Sequence, residues 1–176
     1  AYKLLDEAKK AREPYDSKWL ERYKFFRGKQ WAEARPSYRH SEVVNFVFMA
    51  IQSQVPILTD NRPKFTYLPQ DPSDQEAIDI LNDVTDAEWE KYNWLYKLTE
   101  IVYDAHFYGA GIGSMEYDPE CNYGLGSAKF KSEEPFYIFP NAEAEDINGD
   151  KFSYLVHAEP MSLRSIRQKY GEKGKL

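Results

Sequence analysis

The stretch HFYGAGIGSMEYDP at residues 106–119 has the spacing with the clearest chemical implication, because Gly109, Gly111 and Gly113 alternate along it. Glycine-rich turns can bring backbone amides close to a nucleotide phosphate when a strand leads through the turn into a helix. Here a helical pattern precedes the glycines and a strand pattern follows them, and the carboxyl end of a helix repels anions. We therefore predict a structural junction at these glycines, with a nucleotide- or ligand-binding loop over Gly109–Gly113 as the alternative.

A second candidate is the segment DINGD at residues 146–150. It places Asp146, Asn148 and Asp150 at alternate positions, as in the first three ligands of a calcium loop. Such a loop also needs glycine at its sixth position and glutamate at its twelfth, where this chain has Lys151 and His157. We predict a turn between strands, so these three residues are only a weak candidate for a metal site.

The other potentially reactive side chains form no catalytic pattern. Several carboxylates, two serines beside glycines and the single cysteine lie in short polar segments between predicted strands: Asp118, Glu120, Glu133, Glu134, Ser114, Ser127 and Cys121. The histidines are scattered and fit no zinc-ligand spacing: His40, His106 and His157. No catalytic constellation and no cofactor site therefore emerges from these residues, and the weak candidate above is the one metal site they suggest.

Composition restricts the remaining classes of protein. The chain has 176 residues, a formal net charge of -6 and one cysteine, so it forms no intrachain disulfide and fits a reducing compartment. It contains no apolar run approaching the roughly 20 residues of a membrane span, and its first residues lack the apolar core of a secretory signal, so we expect a soluble protein. The acidic balance disfavours tight wrapping on a nucleic-acid backbone.

Aromatic residues make up 16% of the chain, with 14 Tyr, 10 Phe and 4 Trp. One core of this size does not easily bury that many large rings, and Tyr and Trp are enriched at protein–protein interfaces. The composition therefore favours an oligomer.

The elements that would position these residues begin with a helical arm and connection over residues 1–40. We predict that a first helix stops at Pro14 and that a second, capped by Asp16 or Ser17, ends at Gly28. A more apolar helix is predicted from Ser41, with a kink or break at Pro56.

The segment RPKFTYLP then predicts a short edge strand. Next, Ser73 and Glu76 form the S-x-x-E pattern of a capping box and start a long helix that ends near Asn93. This helix carries a broad apolar stripe: Ala77, Ile80, Leu81, Val84, Ala87 and Trp89. A further helix follows, so the pair forms a helical hairpin or one long helix bent near Asn93.

Beyond Gly113 the pattern changes to short β-rich runs separated by Gly, Pro, Asn and Asp, and Ser162 opens a final short helix. Residues 41–176 thus form one region, with helices over 41–111, a β-rich part over 112–160 and a helix over 162–170. The predicted class is α+β, with several long helices followed by a small antiparallel sheet and a short helix.

The order of several segments resembles the N-terminal wing of tailed-bacteriophage portal proteins, from about residue 15 to residue 171. FRGKQW is similar to the family's Y-x-G-x-Q-W entry, and DNRPKFTYLP, at the end of an apolar helix opened by Asn45, is similar to its x-x-R-P-x-[apolar]-x-[apolar]-x-P segment. DPSDQEAIDILND leads into a long helix with Trp89. YDAHFYGAGIGSMEYD resembles the family's helix-to-strand junction, D-x-x-x-x-G-x-G-x-x-x-[apolar].

The last part of the resemblance covers FYIFPNAEAED and the serine-capped helix that ends in Tyr170 and Gly171. It is similar to the family's v-x-x-[DN]-P-x-A turn, strand and helix. This chain departs from that pattern in one place, since Pro140 precedes Asn141 instead of following an aspartate. We interpret the difference as turn variation.

This resemblance implies a non-enzymatic subunit of a homo-oligomeric ring, usually a dodecamer, at the portal vertex of the virion, assembled in the host cytoplasm. The implied partners are other copies of the chain, the major capsid protein, the terminase large subunit, and head-completion, adaptor and tail proteins. Double-stranded DNA would pass through the ring without sequence-specific contact. Family members are longer, so the resemblance also implies that this chain is a fragment of a longer protein, without the stem, clip and crown.

Overall fold

The computed structural model describes residues 2–31, 36–144 and 150–171 and has an α+β architecture. Four long helices are followed by two small antiparallel sheets of two strands each and by a short helix, which confirms the predicted fold class. The helices are α1 Tyr2–Phe26, α2 Phe46–Asp60, α3 Gln75–Lys91, α4 Trp94–Tyr108 and α5 Leu163–Tyr170, and Cys121–Gly124 forms a tight turn in which Asn122 and Tyr123 have left-handed φ angles. The strands are β1 Ile112–Asp118, β2 Ser127–Glu133, β3 Ile138–Pro140 and β4 Leu155–His157.

Contacts within the chain divide it into two units. The larger unit is Tyr15–Pro135, and the smaller unit joins the residues up to Pro14 with those from Phe136 onward. The sequence-based division into residues 1–40 and 41–176 follows other criteria and stays a prediction.

The core of the larger unit forms where α2 meets α4. Ile51 and Val55 of α2 are buried against Phe107 of α4. Phe107 is surrounded by other rings, with the centroid of Phe26 at 4.5 Å and that of Tyr23 at 5.8 Å in an edge-on arrangement. Ring pairs at these separations add to the free energy of apolar burial, so this cluster holds α1, α2 and α4 together.

A second aromatic group connects α3 and α4 to the β1–β2 hairpin. Trp89 and Trp94 are almost fully buried, and their ring centroids are 5.8 Å apart. Phe65 lies 6.4 Å from Trp89 on one side, and Phe130 of β2 lies 5.8 Å from Trp94 on the other. The turn between the two helices is made by Asn93, whose left-handed φ of 49° breaks the helix at the predicted place.

One prediction for the N-terminal arm is wrong, because α1 continues through Pro14 to Phe26. Proline removes one backbone donor and costs about 3 kcal/mol inside a helix. The residues on each side of it pack within their own unit, since Ala8 is buried in the smaller unit and Trp19 lies 5.7 Å from Tyr108 in the larger. This packing offsets the lost hydrogen bond. Neither Asp16 nor Ser17 starts a new helix.

The predicted start of α2 at Ser41 is also wrong, because the helix begins at Phe46 with Asn45 as its N-cap. The Asn45 side chain accepts a hydrogen bond from the Phe48 N–H at 3.0 Å and donates one to the Phe26 carbonyl at 2.6 Å. Asn45 thus ends the connection and fixes α2 against the end of α1. The helix then runs past Pro56 without a break.

We expect Asn45→Ala to lower the free energy of unfolding by about 2 kcal/mol, because it removes an N-cap and leaves the Phe26 carbonyl without its donor. Urea unfolding followed by circular dichroism measures the change. Asn45→Asp keeps the capping oxygen and loses only the donor, so it should cost less. Equal losses for both variants would show that capping contributes nothing.

The predicted edge strand RPKFTYLP forms no strand in the structure. Its backbone is bound instead by the side-chain amide of Asn82 on α3, which accepts from the Tyr67 N–H at 2.9 Å and donates to the Tyr67 carbonyl at 3.4 Å. Arg62 adds hydrogen bonds to Asp86 and Glu90 at 2.8 and 2.7 Å. The Asn82 side chain therefore makes the backbone hydrogen bonds to Tyr67 that a neighbouring strand would otherwise make.

The predicted capping box at the start of α3 is not formed. A 3₁₀ turn over Pro72–Asp74 leads into the helix, and the hydroxyl of Ser73 donates to the Asp74 carboxylate instead of capping. The 3₁₀ turn shifts the first helical residue to Gln75 and moves Ser73 away from the N-cap position. The last helix agrees with the prediction, since the Ser162 hydroxyl accepts from the Ser165 N–H at 3.1 Å.

In the smaller unit, Arg12 holds the residues before and within β3. Its guanidinium donates to the carbonyls of Phe136 and Ile138 at 2.7 and 3.1 Å and lies 3.8 Å from the centroid of the Phe139 ring.

None of the helices in the described ranges is both long and apolar enough to cross a membrane.

Candidate functional site: the glycine junction and the surfaces around it

The three alternating glycines lie between α4 and β1. Gly109 is the C-cap of α4, with a left-handed φ of 80°, and its N–H donates to the Ala105 carbonyl at 2.9 Å. A side chain at this φ is strained, so glycine is the residue that ends the helix at lowest cost.

Gly111 and Gly113 are needed for a different reason, which is close packing against α4. A β-carbon at Gly111 would lie 2.2 Å from the carbonyl oxygen of Ile101, and one at Gly113 would lie 2.9 Å from both the Ile101 Cδ1 atom and the Phe130 ring. The backbone therefore runs directly against the helix that precedes it. This geometry leaves no space for a phosphate beside Gly111, and the helix end at Gly109 presents carbonyls rather than amide donors.

The structure reveals an acidic group on α4 that the sequence reasoning did not single out. Burial, reinforced by the negative charges of Glu134 and Glu100, raises the pKa of Asp104 to about 6. Burial, followed by the charges of Asp104 and Glu134, likewise raises the pKa of Tyr108 to about 12. Glu100, Asp104 and Tyr108 are four residues apart in turn, so the sequence could have indicated that they share one face of α4. That Glu134 lies close to Asp104 depends on the tertiary fold.

A carboxyl whose pKa is higher in the folded state than in the unfolded chain loses stabilising free energy as the pH rises from about 4 to above 6. We expect Asp104→Asn to raise the free energy of unfolding at pH 7.5 by about 1 kcal/mol, a figure discounted for partial solvent screening. At about pH 3 the gain should largely disappear, because Asp104 is then mostly neutral in both states. Urea titrations at the two pH values measure this difference, and a gain of equal size at both would contradict the assignment.

Other candidate residues pair across the β1–β2 hairpin or with α3. The Ser114 hydroxyl donates to Glu133, and the Ser127 hydroxyl donates to Glu88 of α3 at 2.6 Å. A hydrogen bond from Lys129, followed by those from the Glu120 N–H and Cys121, lowers the pKa of Asp118 to about 2.

These serines donate to carboxylates and are not bonded to a histidine, which does not match a nucleophile with its general base. His106 contacts the Val102 carbonyl at 2.7 Å and the Gln54 side chain at 3.2 Å. His157 lies in β4 opposite Ile138, and His40 lies at the surface outside any helix or strand.

Of the weak metal candidates, Asp146 and Asn148 lie outside the described residues, while Asp150 is exposed. Within the described ranges, no group of three His, Cys, Asp or Glu side chains is arranged to hold a metal ion. Near Asp150, the side-chain amide of buried Asn141 donates to the Lys151 carbonyl at 2.9 Å and accepts from the Ser153 N–H at 3.1 Å.

An open cleft of about 350 Å³ lies in the larger unit between α1, α2 and α4. Its apolar wall includes Val47, Ile51 and Phe107, and its polar rim includes Lys18 and Arg22. The volume falls within the range of clefts that bind small molecules. The cleft is open to solvent, however, and Lys18 and Arg22 stand at its rim, so it is better suited to bind the surface of another protein than to enclose a small molecule.

Comparison with protein-family models, with curated proteins and with solved structures finds no match to this chain.

Proposed function

We propose that this chain is a structural subunit of a bacteriophage portal ring, through which DNA is packaged into and ejected from the capsid. The proposal rests on the segment order described above and on one structural observation. The apolar stripe of α3 is turned away from the rest of the larger unit. When another protein covers an exposed helix face of apolar residues, the free energy of the system falls, because apolar surface leaves water.

The exposed face is continuous. Ile80, Leu81 and Val84 retain 57%, 49% and 48% of their accessible surface, and Ala77 and Ala87 extend the same face. Trp89, included in the predicted stripe, is instead buried on the opposite side of the helix, where Ile78 and Asn82 are partly buried. Isolated exposed apolar residues are normal, whereas a contiguous helix face marks an interaction surface.

A ring accounts for this surface, because a closed ring joins two different faces of each subunit at every contact. In this proposal the subunit has no catalytic residues and no cofactor, and assembly is its activity. The major capsid protein, the terminase large subunit and the adaptor and tail proteins would contact the ring from outside, while double-stranded DNA passes through its channel.

The test is to express the complete product of the gene and to measure its mass by sedimentation and its shape by negative-stain imaging. We expect closed rings, with the dodecamer as the expected stoichiometry. A strict monomer that binds ATP or GTP with a measurable affinity would overturn the proposal and favour a ligand-binding domain over Gly109–Gly113. The clash positions at Gly111 and Gly113 argue against that second function.

A further inference from the structure

The exposed apolar face of α3 described above has charged residues along one side. When the helix is viewed along its axis, Glu76, Asp79 and Asp83 follow each other beside the apolar residues, and Glu90 on the same side is bound to Arg62. The whole helix carries six acidic side chains and a single basic one. The α3 stripe, defined as Ala77, Ile80, Leu81, Val84 and Ala87, therefore presents an apolar ridge next to an acidic row.

The cleft between α1, α2 and α4 has the complementary character. Phe25 and Val47 line it while each retaining 39% of its accessible surface, and Ile51 and Phe107 form its buried floor. Lys18, Glu21 and Arg22 of α1 border the cleft, so its rim carries one more positive than negative charge, with His106 beside them. We refer to it as the cationic cleft.

We infer that the α3 stripe of one copy of the chain packs into the cationic cleft of the next copy. This inference rests on the proposed ring and names the two surfaces that form its contact. The apolar ridge would cover Phe25 and Val47, and the acidic row would lie opposite Lys18 and Arg22. Both surfaces belong to the larger unit but to different elements of it.

The choice of a second copy as the occupant follows from charge and from the difference between the two surfaces. Lys18 and Arg22 outnumber Glu21 at the cleft rim, whereas α3 carries six acidic side chains and one basic one, so opposite charges meet when unlike surfaces of two copies face each other. Two α3 stripes facing each other would instead place acidic rows in contact, which costs free energy. Unlike surfaces that meet head to tail also leave a free stripe at one end of a row of subunits and a free cleft at the other, which lets a ring close.

The first test uses two variants of the complete gene product. Ile80→Asp/Val84→Asp places charges within the α3 stripe, and Lys18→Glu/Arg22→Glu reverses the cleft rim. All four side chains are exposed, so the fold should be kept, and circular dichroism checks this. We expect each variant alone to self-associate at least tenfold more weakly than the unmodified protein in sedimentation velocity.

Mixing the two variants makes the test specific. The stripe variant keeps an intact cleft and the cleft variant keeps an intact stripe, so one contact of the original kind remains possible. We expect the mixture to form 1:1 dimers that do not grow further. If the mixture stays monomeric, or if either variant assembles like the unmodified protein, this pairing of surfaces is wrong.

Matched controls separate the contact from general effects of charge. Tyr123→Asp/Leu125→Asp changes two exposed apolar residues in the β1–β2 connection, and Lys24→Glu/Arg27→Glu reverses two charges near the end of α1 that do not line the cleft. Both controls should assemble like the unmodified protein. Loss of assembly in a control as large as in its matched variant would overturn the inference.

A cross-linking measurement covers the case in which a variant unfolds. In a background in which every native cysteine, Cys121 included, is replaced by serine, chains carrying Leu81→Cys are mixed with chains carrying Phe25→Cys under mild oxidation. We expect a disulfide between the two kinds of chain to dominate over one between identical chains. Rings without this cross-link would overturn the inference and leave the proposed function standing, whereas an unmodified protein that stays monomeric would overturn both.

Discussion

We expect Gly111→Ala to lower the free energy of unfolding by about 3 kcal/mol, the upper part of the range for forcing a methyl group into a packed site. The new β-carbon would lie 2.2 Å from the Ile101 carbonyl oxygen and 2.8 Å from the Ile101 Cγ2 atom. Relief requires the strand entry to move away from α4, because a helix carbonyl has little freedom to shift. Urea unfolding followed by circular dichroism measures the loss.

The matched control is Gly124→Ala in the β1–β2 connection. Gly124 has a φ of 86°, and a β-carbon there would meet no atom within 4 Å. Only the backbone strain of a left-handed residue remains, so the cost should be about 1 kcal/mol. If Gly111→Ala cost no more than Gly124→Ala, the close approach of the junction to α4 would be refuted.

The second large effect is expected at Phe107, whose ring occupies the centre of the aromatic core. Phe107→Ala should lower the free energy of unfolding by about 4 kcal/mol, because the lost burial and the remaining cavity both cost free energy. The ring contacts of Phe26, Tyr23, Tyr103 and Tyr108 with it would also be lost. Thermal and urea unfolding measure the change.

Tyr96→Ala on the same helix is the control for Phe107→Ala. Tyr96 retains 57% of its accessible surface, so its truncation should change the free energy of unfolding by well under about 1 kcal/mol. Comparable losses at the two positions would mean that α4 is held by its helix-forming sequence rather than by the core around Phe107.

Patterns within a few residues predicted much of the fold correctly. The change from helical to alternating periodicity at the glycines marks the step from α4 to β1, and Asn93 and Ser162 mark a helix break and a helix start. These features depend on residues only a few positions apart, so the sequence alone is enough to predict them. The α+β order of elements follows from them.

Two of the errors arose where distant residues decide the outcome. Packing on both sides carries α1 past Pro14, and the Asn82 amide binds the segment that was predicted to be a strand. Such contacts join residues many positions apart, so local periodicity does not reveal them.

The same distinction applies to the candidate site. The sequence by itself determined that α3 has an apolar stripe with acidic neighbours and that the glycine run follows a helix. Only the tertiary structure decided that Trp89 and Asn82 face inward, which turns Ile80 and Val84 outward, and that Glu134 approaches Asp104. A helix pattern fixes which residues share a face, but burial of that face depends on the free energy of contacts with elements elsewhere in the chain.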